Sequence, residues 1–515
     1  MSRIQRAVRS APSAALLLLA AGCATAPPSS PPVPFDVPDS YASVEVPSSS
    51  PVTAIAAESA WWRSFGDPTL ESLVEEALSS NQDLVAAAAR VDSAVARARL
   101  AGAAAKPSAS ASFDGSRARQ NFIGLPIPGS DGVLSTTTTT FGASLNVSWE
   151  IDLWGRLRAM TAGARSQVEA SRAELVAARE SIAAQTAKAW FAVLDAQRQL
   201  HLAESELQNR KDSSERIRRR YERGLRSALD LRLAISAEAG DASLVPARRL
   251  QLAAARRQLE VLVGRYPAGE VEVPAAESLA LPPAIPAGLP SDLLLRRPDL
   301  VAAEQRVAVA GYGVAEARAS LYPRLSLTGS AGRSSDDLSD LVDSDFSIWR
   351  LAGNLLQPVF QGGRLRAGVE LAEAQQREAV ALWGQAVQRA FAEVEAALTA
   401  EALLADQMAS SERAATEAEG ARRLAAQRYD AGLVDYLAVL ETERAAFQAR
   451  RQLLTARRQR LDARADLHLA LGGGFEAGAG ATAGAAADGA PQDSSILDPT
   501  SELPTASPAT EVSSP

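Results

Sequence analysis

The sequence predicts a mainly α-helical chain with a membrane β-barrel portion, built twice from one helix–strand–strand–long helix–helix unit. Three observations carry this reading. One is a duplication. Gly155-Arg156-Leu157-Arg158-Ala159 opens a stretch that closes on Arg220-Tyr221-Glu222-Arg223-Gly224-Leu225. The frame returns as Gly363-Arg364-Leu365-Arg366-Ala367 and Arg428-Tyr429-Asp430-Ala431-Gly432-Leu433, displaced by 363 − 155 = 208 and 432 − 224 = 208. Another is the composition between those words, which hold no proline and are rich in alanine, arginine, glutamate, glutamine and leucine, all strong helix formers. A helix of roughly 65 residues is about 100 Å long, more than a globular core uses. The last is strict alternation from Phe141 to Glu150. Phe141, Ala143, Leu145, Val147 and Trp149 fall on one face, and Gly142, Ser144, Asn146, Ser148 and Glu150 on the other. A strand apolar on one side and small and polar on the other suits a barrel with lipid outside and water inside.

From the start of the chain, Arg3, Arg6 and Arg9 precede a short apolar core that ends on small residues and Gly22-Cys23, the pattern of a secretory signal over 1–22. Cys23 is the only cysteine, so no disulfide forms within the chain. A lone cysteine directly after small residues resembles a bacterial lipobox, which implies that Cys23 is lipidated. A Ser/Pro-rich stretch follows, and 23–60 reads as a lipidated tether. The net charge of −8 is mildly acidic, without the block of like charge that binds nucleic acid. Past the signal no apolar run reaches about 18 residues, so any further membrane contact comes from strands.

The first repeat covers 61–266. Asp67-Pro68 reads as an N-cap with proline in the first turn, opening a helix striped by Leu70, Leu73, Val74, Ala77 and Leu78. A second helix spans about Asp83 to Ala105, and its counterpart begins at Asp299. Strands are expected at Ala109–Ser116 and Phe141–Glu150, with a loop over Asn121–Leu134. The second copy offers Leu325–Gly332 and Ser347–Leu355, joined by a loop holding Asp336, Asp337, Asp340, Asp343 and Asp345. The long helix carries a heptad seam at Val168, Leu175 and Ile182 and another at Val193, Leu200 and Leu207, separated by a step of eleven. Helices return over Ala228–Val263 and Asp435–Leu471. A proline-rich linker occupies 267–290, the second repeat 291–472, and a Gly/Ala/Ser/Pro-rich tail 473–515. Four strands cannot close a barrel, and lipid tolerates no open edge. Three copies give twelve strands and a lumen, whereas two give eight, which side chains would fill.

Trp61-Trp62 with Phe65-Gly66-Asp67-Pro68, the run Leu289-Pro290-Ser291-Asp292-Leu293-Leu294-Leu295-Arg296-Arg297-Pro298-Asp299-Leu300, Tyr322-Pro323 and Gly363-Arg364-Leu365 resemble the TolC-like outer-membrane efflux proteins. More narrowly, they resemble the lipoprotein branch that serves RND-type tripartite pumps. That resemblance implies a homotrimeric twelve-stranded barrel in the outer membrane, continued by a helical barrel through the periplasm. Its implied partners are a periplasmic adaptor and an inner-membrane RND-type pump, and it implies neither an enzyme activity nor a cofactor. It further implies that Tyr429 and Asp230 form part of a polar network closing the periplasmic mouth, and that Glu441 stands on an acidic ring. Val434 takes the family's gate-arginine position and Ala438 that of another ring acid, leaving Asp435 as a candidate substitute charge. Gly224, Leu225, Gly432 and Leu433, at the two helix turns, are candidate adaptor contacts. Phe141, Leu145, Val147 and Trp149 are candidate lipid-facing residues. His201 and His468 have no cysteine near them and make no metal site. The competing class is a coiled-coil structural envelope lipoprotein, which needs neither alternating strands nor a duplication.

The lipobox reading predicts that Cys23→Ser abolishes labelling with radioactive palmitate. Undiminished labelling of the variant would contradict it.

Overall fold

The computed structural model describes residues 33, 36–38, 41–42, 60–122, 134–273 and 290–473. Cys23, the signal over 1–22, most of the tether, the linker between 274 and 289 and the tail after Gly473 lie outside them.

The first repeat runs α1 (Pro68–Ser80), α2 (Gln82–Ala103), β1 (Ser108–Phe122), β2 (Leu134–Ile151), α3 (Arg156–Glu222) and α4 (Ala228–Leu262). The second runs α5 (Pro290–Arg296), α6 (Pro298–Ala319), β3 (Arg324–Ser335), β4 (Ser347–Leu356), α7 (Arg364–Asp430) and α8 (Tyr436–Ala470). Equivalent helices match in length: α3 and α7 have 67 residues each, α4 and α8 have 35, and α2 and α6 have 22. No described helix is long and apolar enough to cross a membrane.

The strands form one antiparallel sheet in the order β1-β2-β3-β4. All four run past their expected bounds, β1 and β2 furthest. β1 continues past Ser116 to Phe122, and β2 begins at Leu134, so both bounding residues of the expected Asn121–Leu134 loop are strand residues. The added length is a ladder in which Arg117 to Gln120 pair with Thr136 to Thr139. Those threonines do not alternate in polarity, but their β-branched side chains favour extended backbone. In the second copy the loop between the strands folds into two short 3₁₀ turns. Asp337 there accepts hydrogen bonds from Ser339, and Asp343 from the Asp345 amide.

The helices pack in the lateral order α4–α3–α8–α7, with α2 and α6 flanking the upper part of α3 and α6 also meeting α7. Of the two predicted heptad seams, Val168, Ile182, Val193 and Leu200 are buried. Trp190, Phe191 and Val193 form one core with Trp61, Phe65, Leu70 and Leu259. Asp67 caps α1 by accepting from the amides of Thr69 at 2.9 Å and Leu70 at 3.2 Å, and its other oxygen accepts from Trp190 Nε1 at 2.7 Å. Leu300, Val307, Val387, Val394 and Leu467 make the second repeat's core. Tyr41 is buried in that core and the Ala42 amide donates to Glu395 at 2.7 Å, so this part of the expected tether is fastened to the body. The Arg296-Arg297-Pro298-Asp299 word is structural. Arg297 is buried, binds Asp299 at 2.8 Å and Glu393 of α7 at 2.7 Å, and donates to the Ala470 carbonyl at the end of α8.

Close strand packing at one glycine gives a direct check of the register. A Cβ on Gly332 would stand 2.2 Å from the Ala143 carbonyl oxygen, whereas one on Gly329 would meet Leu351 Cδ1 at 3.8 Å. Gly332→Ala is expected to remove the heat-resistant oligomer band from unboiled gels, and Gly329→Ala to retain it. Equal bands for both variants would contradict the β2–β3 pairing.

Candidate functional site

The two helix turns lie at the same remove from the strands, because α3 and α7 have equal length. Each turn closes on a left-handed glycine, Gly224 at φ 73° and Gly432 at φ 75°. Around each, two backbone bonds satisfy the last carbonyls of the helix. Gly224 donates to Tyr221 and Leu225 to Arg220; Gly432 donates to Tyr429 and Leu433 to Arg428. This is a Schellman ending, which needs the positive φ that glycine adopts without strain. The next helix is then capped by a side chain. Ser227 accepts from the Asp230 amide, and Asp435, 208 positions on, accepts from the Ala438 amide at 2.9 Å. Asp435 thus has a local capping role. Leu225 and Leu433 are exposed, and so are Leu229 and Leu437 in the first turn of the following helices. The second pair is not among the expected contacts, although it keeps the repeat spacing, 437 − 229 = 208.

The two tips are joined within one chain. Ile217, Ala234, Tyr429, Tyr436 and Val439 form a small core, with Val434 packed against it. Tyr429 is buried, and its hydroxyl has no hydrogen-bond partner among the described residues. Burial pushes its phenol up; Arg226 opposes the rise and Asp230 adds to it. Asp230 is therefore a near neighbour of Tyr429 without bonding to it. The cation that does engage Tyr429 is Arg226. Its guanidinium carbon lies 4.0 Å from the centre of the Tyr429 ring, and its Nη2 donates to the Tyr429 carbonyl at 3.1 Å. Arg226 is the first-repeat equivalent of Val434, since 434 − 226 = 208. The charge absent at Val434 is present in the other copy, a signal the duplication itself contained. Arg220 adds a 3.2 Å ion pair to Asp430, again between the repeats. Glu441 is exposed on α8.

Above the tips is a buried ion cluster that the sequence reading missed. Arg210 of α3 is 6% exposed. It reaches Asp241 of α4 at 2.8 Å, Glu206 of its own helix at 3.5 Å, and Glu443 of α8. Burial works against its charge, but the three carboxylates outweigh that and raise its pKa. Burial likewise pushes Glu206 and Glu443 up, with Arg210 as the strongest opposing influence. One guanidinium thus holds together α3, α4 and α8.

In the sheet, the register sets two unlike faces. Leu145 lies between Ala111 and Ala331, Val147 between Ala109 and Gly329, and Trp149 beside Leu327. Leu325, Leu351 and Leu355 share their face. Leu145, Val147 and Trp149 are exposed and Phe141 is half-buried. The other face carries Ser112, Ser144 and Asn146, which hydrogen-bond one another at 2.9–3.3 Å. At the helical end of the sheet, Trp149 Nε1 donates to the Ala105 carbonyl, and Trp154 stacks on Tyr322 at 4.9 Å.

Comparison with known proteins agrees with this geometry. The family model described as outer membrane efflux protein matches residues 73–265 and 289–473. The pyoverdine export outer membrane protein OpmQ of Pseudomonas putida is 35% identical over 81% of this chain and 88% of its own length. The toluene efflux pump outer membrane protein TtgF of Pseudomonas putida is 32% identical over 90% of this chain and 96% of its own. Among solved structures, the CmeC outer membrane channel of Campylobacter jejuni superposes with a TM-score of 0.79 at 26% identity, covering 87% of this chain and 95% of that one.

Removing the buried cation takes the main partner from three carboxylates, so Arg210→Met is expected to cost about 3–5 kcal/mol at neutral pH. The folded pKa values of Glu206 and Glu443 lie above their unfolded values, and losing the opposing influence of Arg210 raises them further in the variant. The folded state then gains protons, and the deficit shrinks, as pH falls toward the ordinary carboxylate range. Thermal midpoints of parent and variant should differ more at about pH 8 than at about pH 5. A gap that does not change with pH would contradict the cluster's role.

Proposed function

The chain belongs to the outer membrane efflux protein family, and we propose that three copies assemble into the exit duct of a tripartite efflux pump. Members of this family are outer-membrane channels that extend into the periplasm and carry small solutes outward. The observation that carries the reading here is the joining of one amphipathic sheet to helices of 67 residues. The face of Phe141, Leu145, Val147 and Trp149 meets lipid, and the face of Ser144 and Asn146 lines the water-filled lumen. Trp149 and Trp154 stand where aromatic residues gather at a membrane boundary. Below the sheet, helices about 100 Å long span periplasmic distance.

The tips make the mouth. Leu225, Leu229, Leu433 and Leu437 give each copy four exposed apolar side chains for a periplasmic adaptor, with Gly224 and Gly432 shaping the turns. An inner-membrane RND-type pump would work beyond that adaptor. The closed mouth is held by Arg226 on Tyr429 and by Arg220 on Asp430, rather than by a bond from Asp230 to Tyr429. Glu441 and Asp230 place negative charge near the opening, and Asp435 keeps its helix start in place. Cys23 carries the lipid anchor.

Purified protein in planar bilayers should form discrete conducting channels, an outcome a structural envelope lipoprotein would not give. Arg226→Ala should raise the conductance or the open fraction several-fold, because it removes both contacts to Tyr429. A variant that conducts like its parent would show that Arg226 does not hold the mouth, and absence of any conductance would overturn the channel reading.

A further inference from the structure

α3 packs on both α4 and α8, while those two touch only briefly. A groove of about 1280 Å³ therefore opens between them, with α3 as its floor. Arg248 from α4 and Arg444 and Arg451 from α8 line it. None of the three has an ion pair among the described residues; Arg248 has a 2.7 Å hydrogen bond to Gln251. Two carboxylates also line the groove, Asp195 and Asp241. Asp241 is already bound to Arg210, and Asp195 accepts from Gln199 and lies near Arg248 and Arg458, the latter a further arginine of the lining that pairs with Asp462. Arg451 Nε is a buried donor with no partner among the described residues, and its guanidinium stands 5.6 Å from the centre of the Phe447 ring. Burial and the charge of Arg451 both push Arg248 down, so the two cations oppose each other across the groove. Between them, Leu244 and Phe447 offer apolar surface. On the floor Gln199 is 6% exposed; its amide nitrogen is engaged, but its oxygen has no partner among the described residues.

The groove shares a face with the candidate mouth residues. Arg248 follows Asp230 by 248 − 230 = 18 positions, five full turns of helix, and Gln448 follows Glu441 by seven, about two turns. A solute moving up from the mouth would meet it directly.

We propose that this groove is a binding station for amphiphilic organic anions, with a carboxylate or sulfonate between Arg248 and Arg451 and an aromatic or aliphatic body against Phe447 and Leu244. The assignment rests on the channel reading and deepens it by naming a class of cargo. An anion neutralises two cations that now repel each other, which gains more than a lone surface arginine would. The free Gln199 oxygen takes an N–H or O–H from the same solute.

The test uses the full-length protein in lipid nanodiscs and two fluorescent probes. Anilinonaphthalene sulfonate carries the anion; phenylnaphthylamine has the same aromatic body without it. The sulfonate should bind at least about tenfold more tightly than the neutral probe. Arg248→Gln and Arg451→Gln should each weaken the sulfonate about tenfold and leave the neutral probe unchanged. Arg444→Gln, at an exposed position, should weaken it to a lesser degree. Equal binding of the two probes, or retention of the sulfonate by all three variants, would overturn the station. Bilayer conductance of the same proteins separates the two ideas. Variants that conduct and keep the sulfonate sink the station alone, whereas a parent that does not conduct sinks the channel reading beneath it.

Discussion

β1 and β4 are the outer strands of the only sheet among the described residues, and each carries a row of backbone N–H and C=O groups that its own chain does not pair. In water such an edge can be solvated. In hydrocarbon each unpaired group costs several kcal/mol. The apolar face of the same sheet, with Leu145, Leu351, Leu355 and Trp349 exposed, requires lipid. The two demands have one joint solution, which is closure of the sheet by further copies. Every helix hangs from that closure, because α3 and α7 follow β2 and β4 directly, through short turns that end on Gly155 and Gly363 at positive φ.

Closure alone would give a tube without a mouth. Equal length of α3 and α7 brings both turns to one level, and the chain then ties them together. The ties are not duplicated. Arg210 meets Asp241 and Glu443, whereas the positions 208 later hold Ala418 and Ala449. Likewise Arg226 covers Tyr429 while its equivalent is Val434. Duplication supplied the frame, and the two copies then diverged where one had to hold the other. A buried cation shared by three helices is rigid as long as all its acids are present, which suits a wall. A cation held by one ring and one carbonyl has fewer contacts to break, which suits the proposed gate.

Much of the fold was legible because its periods are strong. The glycines at 155, 224 and 264 and their equivalents at 363, 432 and 472 all take positive φ, so each marked the end or start of a helix. Asp67-Pro68 announced a cap that the structure contains. Alternation marked the faces of β2 but not its full length, because Thr136 to Thr140 extend the strand through backbone preference rather than polarity. The contacts between repeats were not legible. Two of the three partners of Arg210 lie 31 and 233 residues away, and no local pattern points to them; only Glu206, one turn earlier on α3, is local. Asp435 was read as a charge in a mouth, whereas its first task is to cap α8, a use that Ser227 in the other repeat already indicated.

Closure of the sheet between copies is the claim on which the rest depends, and disulfide trapping tests it. On a Cys23→Ser background, one cysteine is placed on β1 at Ser108, Ser110 or Ser112 and one on β4 at Arg350, Ala352 or Asn354, all on a single face of the sheet. After mild oxidation, a denaturing gel without reductant should show covalent dimers and trimers for at least one pairing, and nothing larger. Monomers alone in every pairing, or a series that stops at dimers, would contradict the account.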